Sequence, residues 1–258
     1  MKPAIVLLMA TLAGYGQPGV EPPKYEVASI KPNADDDFRF AFRIEPAGPL
    51  AATGVTLKRL MMTAYNVQDF RIVGGPDWVV SKRWDVQAKP NRAVSPGEIR
   101  PMLRDLLENR FQLQTHSEKR QLPVYELNVD RKGSKVPRVK DGETKADVQV
   151  GTGLIRLTKA TAATFASQLS YALARPVIDK TSLSGEFDFA LEWTPEPGED
   201  GGTTTAGLPT AVGDQPSSIP DGPSIFTAIT EQLGLRLKPG RGPVEVIVID
   251  AVQMPTAN

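Results

Sequence analysis

Four carboxylates sit close together late in the chain: Asp179, Glu186, Asp188 and Glu192. Paired carboxylates are the equipment of glycoside hydrolysis, one serving as acid and the other as base or nucleophile across a cleft. Tryptophan supplies a flat platform on which a sugar can stack, and Trp78, Trp84 and Trp193 are available. A carbohydrate-binding or carbohydrate-cleaving site would draw on Trp78 or Trp84 together with Asp179 or Glu192. The local pattern favours a plainer role. In Glu186-Phe-Asp-Phe-Ala-Leu-Glu-Trp193 polar and apolar residues alternate, so Phe187, Phe189, Leu191 and Trp193 share one strand face. Glu186, Asp188 and Glu192 then take the opposite, solvent-facing side.

The other chemistries are excluded by counting. His116 is the sole histidine and cysteine is absent. A multi-histidine metal site, the H-E-x-x-H zinc helix and a cysteine–histidine pair all require more. A serine triad would have to use His116, which lies in the polar stretch Gln114-Thr-His-Ser-Glu-Lys119 on an expected exposed strand. Neither G-x-S-x-G nor S-x-x-K occurs. Gly74-Gly-Pro-Asp-Trp78 and Ser182-Leu-Ser-Gly185 lack the phosphate-binding lysine and read as turns. The acidic run Asp35-Asp-Asp37 lacks the glycine and distal glutamate of a calcium loop. No catalytic, cofactor-binding or metal-binding residue is therefore assigned. Lys plus Arg and Asp plus Glu both number 30, so no concentrated basic field points to nucleic acid. The basic stretch 131–140 reads as a solvated linker.

The elements that must position these residues follow from periodicity. Lys2 and the apolar run from Ala4 to Ala13 have the form of a signal peptide, residues 1–16, with cleavage expected before Gln17 or after Ala13. The mature protein is expected to be exported, periplasmic or extracellular, and soluble once cleaved. Strands are expected at 25–30 and 38–44. From Thr56 the period changes to that of a helix, with Leu57, Leu60, Met61 and Ala64 on one face and Thr53 or Thr56 as cap. A strand ending in a turn follows at 72–78, and a second strand at 83–88. Ser95, Pro96 and Glu98 announce the next helix, with Ile99, Met102, Leu103, Leu106 and Leu107 as its stripe.

This order then recurs. A strand at 154–157 precedes a helix capped by Thr161 and faced by Ala162, Phe165, Leu169 and Leu173. Strands at 176–179 and 186–193 follow, then a Gly/Pro-rich insertion, 195–223, expected to be flexible. The stretches 102–113 and 225–237 each read as a helix running into a short strand, then a polar turn and a second strand begun by Pro123 or Pro243. The expected fold is α+β: two tandem pseudo-repeats, 17–140 and 141–258, each of two helix–strand–strand units packing helices on mainly antiparallel sheet.

Several stretches carry a family likeness. They are Tyr25-Glu-Val-Ala-Ser-Ile-Lys-Pro32, Val73-Gly-Gly-Pro-Asp-Trp78, Met102-Leu-Arg-Asp-Leu-Leu-Glu-Asn-Arg-Phe-Gln-Leu113 and Pro176-Val-Ile-Asp-Lys-Thr181. Gly185-Glu-Phe-Asp-Phe189, Glu231-Gln-Leu-Gly-Leu235 and Val248-Ile-Asp250, followed by Pro255 and Asn258, complete the set. In these the chain resembles the bacterial soil-associated protein family, exported domains without an established activity. It departs from that family at Thr181-Ser-Leu183, where the family has Thr-Gly-Leu. The helix–strand–strand units are also similar to the short N-terminal modules of secretins and TonB-dependent receptors, which bind periplasmic partners. The duplicated scaffold and the absence of a complete catalytic set lead us to expect an exported, non-enzymatic interaction module with another envelope protein as partner, and the resemblance implies a sensor-type role. Strand addition at an exposed sheet edge is the expected mode, and the sequence assigns no oligomeric state.

Overall fold

The computed structural model describes residues 22–33, 40–139, 145–195 and 222–255. The expected signal peptide 1–16, the acidic run 35–37 and nearly all of the insertion 195–223 lie outside the described residues. The chain is α+β with mainly antiparallel sheets, as its patterning implies.

The first sheet has the order β1 (Tyr25–Pro32), β5 (Arg83–Pro90), β3 (Leu50–Thr56), β2 (Ala41–Ile44), antiparallel throughout. β3 runs straight into α1 (Leu57–Tyr65), where Thr56 Oγ1 accepts the Arg59 N–H at 3.2 Å. The periodic residues Leu57, Leu60, Met61 and Ala64 are those α1 buries; each buried leucine contributes about 1.5–3 kcal/mol. After the short strand β4 (Ile72–Gly74), the expected turn at Trp78 is instead a single helical turn, α2 (Trp78–Ser81). α3 (Pro96–Phe111) buries Met102, Leu103, Leu106, Leu107 and Phe111 and leaves Ile99 half-buried.

The largest departure from the sequence reading follows α3. The expected short strands on either side of a polar turn are continuous: β6 (Gln114–Val129, 16 residues) and β11 (Leu235–Ala251, 17 residues). They pair antiparallel along their whole length and form a long ribbon. The prolines that suggested strand starts sit mid-strand, and the pairing shows why they fit. The Tyr125 N–H points outward to the Pro176 carbonyl at 2.8 Å. Pro123, two residues earlier, aims its ring nitrogen the same way, past the end of the neighbouring strand, so no ladder bond is lost. The Glu245 carbonyl likewise faces outward, to Arg71 Nε at 2.7 Å, and Pro243 and Pro239 share that outward parity.

The second sheet has the order β10 (Phe187–Glu192), β8 (Leu154–Ala160), β7 (Asp147–Gly151), again antiparallel. Helices α4 (Ala162–Ala172) and α5 (Ile225–Leu233) begin at the hydroxyl caps Thr161 and Ser224. α5 ends at Gly234, whose φ of 61° and approach to the Gly133 carbonyl, 2.3 Å from where a Cβ would lie, leave room only for glycine.

Two cores result. One gathers β1, β3, β5, α1 and α3 around Trp84 and Phe111 and takes in Ile247 and Ile249 from the end of β11. The other gathers β8, β10, α4 and α5 around Phe165 and Phe189 and takes in Leu127 of β6 with Leu235 and Leu237. A small third cluster, Val124, Val244 and Val246, lies on the ribbon between them. Strand β4 pairs parallel with β11 at Ile247–Ile249, and β9 (Val177–Asp179) pairs parallel with β6 at Tyr125–Leu127. Each sheet-and-helix body therefore lends a short strand to the long strand of the other.

Candidate functional site

The tryptophans and carboxylates singled out by sequence lie beside different cores. Trp84 is 1 % exposed, edge-on to Phe111 at 5.5 Å and to Trp78 at 6.4 Å. Trp78 is half-buried and stacks on Phe111 at 6.4 Å. The platform is thus consumed in packing. Asp179 ends β9, where its Oδ1 accepts the Thr181 N–H at 2.8 Å and hydroxyl at 2.7 Å, as a turn carboxylate does. Glu192 is exposed on β10, 3.2 Å from Arg156 Nη2. Its neighbours are also occupied: Asp188 on the same strand accepts the Lys159 N–H at 2.9 Å, and Glu186, just before it, lies 3.7 Å from Lys159 Nζ. The aromatic pair belongs to the first core and both carboxylates to elements of the second, so the structure does not bring the four together in one cleft.

His116 is exposed on β6, and carboxylates face both of its ring nitrogens. Nδ1 lies 2.8 Å from Asp250 and Nε2 lies 3.8 Å from Glu118, which itself pairs with Arg120. The hydrogen bond to Asp250 raises the His116 pKa above its ordinary value. A base that activates a hydroxyl must turn one nitrogen toward it; this ring is placed to hold a proton between two anions. Among the described residues no group of three His, Cys, Asp or Glu side chains gathers as a metal site.

A small cleft is lined by Ile30, Asn109, Arg110, Gln112, Gln253, Met254 and Pro255. Three of its polar side chains are spent on the backbone. Arg110 Nη2 donates to the Ala28 carbonyl at 3.2 Å, Gln112 Nε2 to Asn109 at 2.9 Å and Asn109 Nδ2 to Asp105 at 2.8 Å. That leaves little to grip a ligand.

The sheet edges differ more sharply. An unprotected edge offers a row of backbone groups to any extended chain, and proteins blunt edges with proline, charge or cover. The ribbon carries Pro123 on one margin, Pro239 and Pro243 on the other, and Arg71 across the Glu245 carbonyl. At β1, Arg110 reaches the Ala28 carbonyl. β2 is only four residues long, and its Phe42 and Ile44 pack on the first core. The outer side of β10 is covered by 137–139, through Val139 N–H to Glu186 at 3.0 Å and Asp188 N–H to Pro137 at 3.1 Å.

Among the described residues nothing covers the outer side of β7, and its single charge is Asp147 at one end. β7 is the terminal strand of its sheet, holds no proline, and all five of its residues are exposed. Val148 is 58 % and Val150 41 % exposed. They stand opposite Leu157 and Ile155 of β8, both fully buried. Opposed residues in an antiparallel pair share a face, so the two valines lie on the core side of the sheet, where the cover of α4 and α5 has run out. Sequence reasoning missed this strand. The available signal was Val148 and Val150 alternating with polar residues ahead of Thr152-Gly153, a hairpin turn into β8.

Fold and edge together define an α+β protein with two helix-covered sheets, a shared ribbon and, among the described residues, an uncovered edge strand. A family profile described as protein of unknown function (DUF3738) matches residues 58–252, and the chain belongs to that family. The match begins within α1 and runs just past β11, so it takes in the ribbon and β7. No curated protein matches the chain, and no solved structure does.

Proposed function

We propose that this protein is a non-enzymatic interaction module that binds an extended segment of a protein partner as a fourth strand beside β7. The observation that carries this is Val148 and Val150, exposed on the core face of a proline-free edge strand. An added strand would satisfy the outward backbone groups of β7, and its alternate side chains would cover both valines. That cover contributes about 1 kcal/mol per valine, a fraction of the value for full burial. The likeness to exported soil-associated proteins and to secretin and TonB-receptor modules supports an envelope partner and a sensor-type role. The Lys2-to-Gly16 pattern supports export, and N-terminal sequencing of the secreted chain is expected to begin at Gln17 or Gly14; retention of Met1 in the mature protein refutes it.

The binding test uses fluorescence anisotropy with synthetic peptides that alternate valine or threonine with polar residues. Saturable binding to the wild type and its loss in Val148→Lys is the expected outcome. If no peptide binds, or the variant binds equally well, the reading is wrong.

A further inference from the structure

The sequence of the open edge is nearly symmetric about its centre. Asp147-Val148-Gln149-Val150-Gly151 places one valine on each side of Gln149. We propose that the partner of β7 is β7 of a second copy of this chain, the two strands running antiparallel about a two-fold axis at Gln149. This inference rests on the edge reading of the preceding subsection and names its occupant.

Centring on Gln149 sets Val148 opposite the partner's Val150, and Val150 opposite the partner's Val148. All four valines then lie on one face, because opposed residues in an antiparallel pair share a face. That face is the core side of both sheets, so the exposed rim of one core meets the exposed rim of the other. A slip of one residue would place the valines opposite Gln149 and either Asp147 or Gly151, and send the two copies' valines to opposite faces.

The charges agree with this register. Asp147 opposes the partner's Gly151, so no like charges meet. Gln149 Nε2 already donates to Asp147 Oδ2 at 3.1 Å, on the solvent side, away from the valines. The product is a continuous six-stranded sheet in the order β10-β8-β7-β7-β8-β10, with the helices of both copies on one side. A two-fold, self-complementary contact is the commonest form of association between identical chains. Five residues per copy bury less than the roughly 1,200 Å² of a standard stable interface, so the association depends on concentration.

The absence of cysteine from the chain makes the test clean. Gln149→Cys places the new thiol on the proposed axis. Directly opposed residues have Cα atoms about 4.5–5.5 Å apart, within disulfide reach. Under mild oxidation of the full chain, Gln149→Cys is expected to form a disulfide-linked dimer, while Glu108→Cys, on the exposed face of α3, stays monomeric. Sedimentation velocity on the cysteine-free wild type is expected to shift toward a dimer as concentration rises, and Val148→Lys with Val150→Lys is expected to lose that shift. Equal cross-linking of the two cysteine variants, a wild type that stays monomeric, or a dimer indifferent to the lysines overturns the proposal. If the wild type is monomeric but still binds the peptide panel through Val148, the edge reading stands and the second copy falls.

Discussion

His116 shows what a single residue does in this structure. Its Nδ1 is 2.8 Å from Asp250 and its Nε2 3.8 Å from Glu118, so the imidazolium is favoured and its pKa is raised above the ordinary 6.5. The sign of the linkage follows. A raised folded-state pKa means that any stabilisation is fully present below about pH 6.5 and is lost as pH rises through the folded value. Asp250→Asn is expected to bring the titration back down, and a histidine NMR titration reads it directly because the chain has one histidine. A midpoint unmoved by that change would show the hydrogen bond to be idle. The buried tryptophan makes the opposite contrast with the exposed glutamate. Trp84→Ala empties a core site and is expected to cost about 3–5 kcal/mol in urea unfolding, whereas Glu192→Ala stays within about 0.5 kcal/mol. A mild Trp84 variant would contradict its place between Trp78 and Phe111.

At the scale of elements, helix starts are set locally and strands are not. α3 begins where Glu98 accepts the Ser95 N–H at 2.8 Å and hydroxyl at 2.9 Å and pairs with Arg92 at 2.7 Å. The Arg92 hydrogen bond, followed by the two from Ser95, holds the Glu98 carboxyl at about 2, against 4.5 for a free glutamate. The helix start is therefore intact above about pH 4.5 and loosens as pH falls toward 2. Carboxyl NMR of Glu98 is expected to show a midpoint near 2 that rises toward the free value in Arg92→Ala. The entry to the ribbon is fixed sterically. A Cβ on Gly234 would lie 2.3 Å from the Gly133 backbone carbonyl, at a φ of 61°, so Gly234→Ala is expected to cost about 1–3 kcal/mol, read by the urea midpoint.

These elements also mark how far the sequence could be read. The stripe Leu57, Leu60, Met61, Ala64 and the cap Thr56 were legible because period and cap lie within one turn of each other. The ribbon was not, because its strand partners are over a hundred residues apart and Pro123 and Pro243 look like strand starts until the open side of the ladder is known. β7 and β3 escaped notice for a related reason: short runs diluted by glycine, alanine and threonine declare themselves only when a neighbour is paired with them. The candidate tryptophans were visible as residue types, but their burial depends on Phe111 arriving from α3.

The whole molecule is held together by exchange between its two bodies. In the sheet order β4-β11-β6-β9, β4 has β11 as its only ladder partner among the described residues, and β9 has only β6. The first core includes Ile247 and Ile249, which lie late in the chain, and the second includes Leu127, which lies before its midpoint. A cut between 140 and 141 would remove from each piece the strand that its short parallel strand requires, and would expose half of a ribbon bonded along its full length. Unpaired backbone and uncovered leucine and isoleucine on that scale exceed the few kcal/mol of net stability available to a small domain. Pieces 17–140 and 141–258, expressed separately, are accordingly expected to show no cooperative urea transition, while the intact chain unfolds in one. Mixing the pieces in equal amounts is expected to restore the near-ultraviolet circular dichroism of Trp84 and Phe189 in their cores. A piece that folds alone with a sharp transition would mean that the exchanged strands decorate two independent domains, and the ribbon would then be a linker rather than a shared backbone.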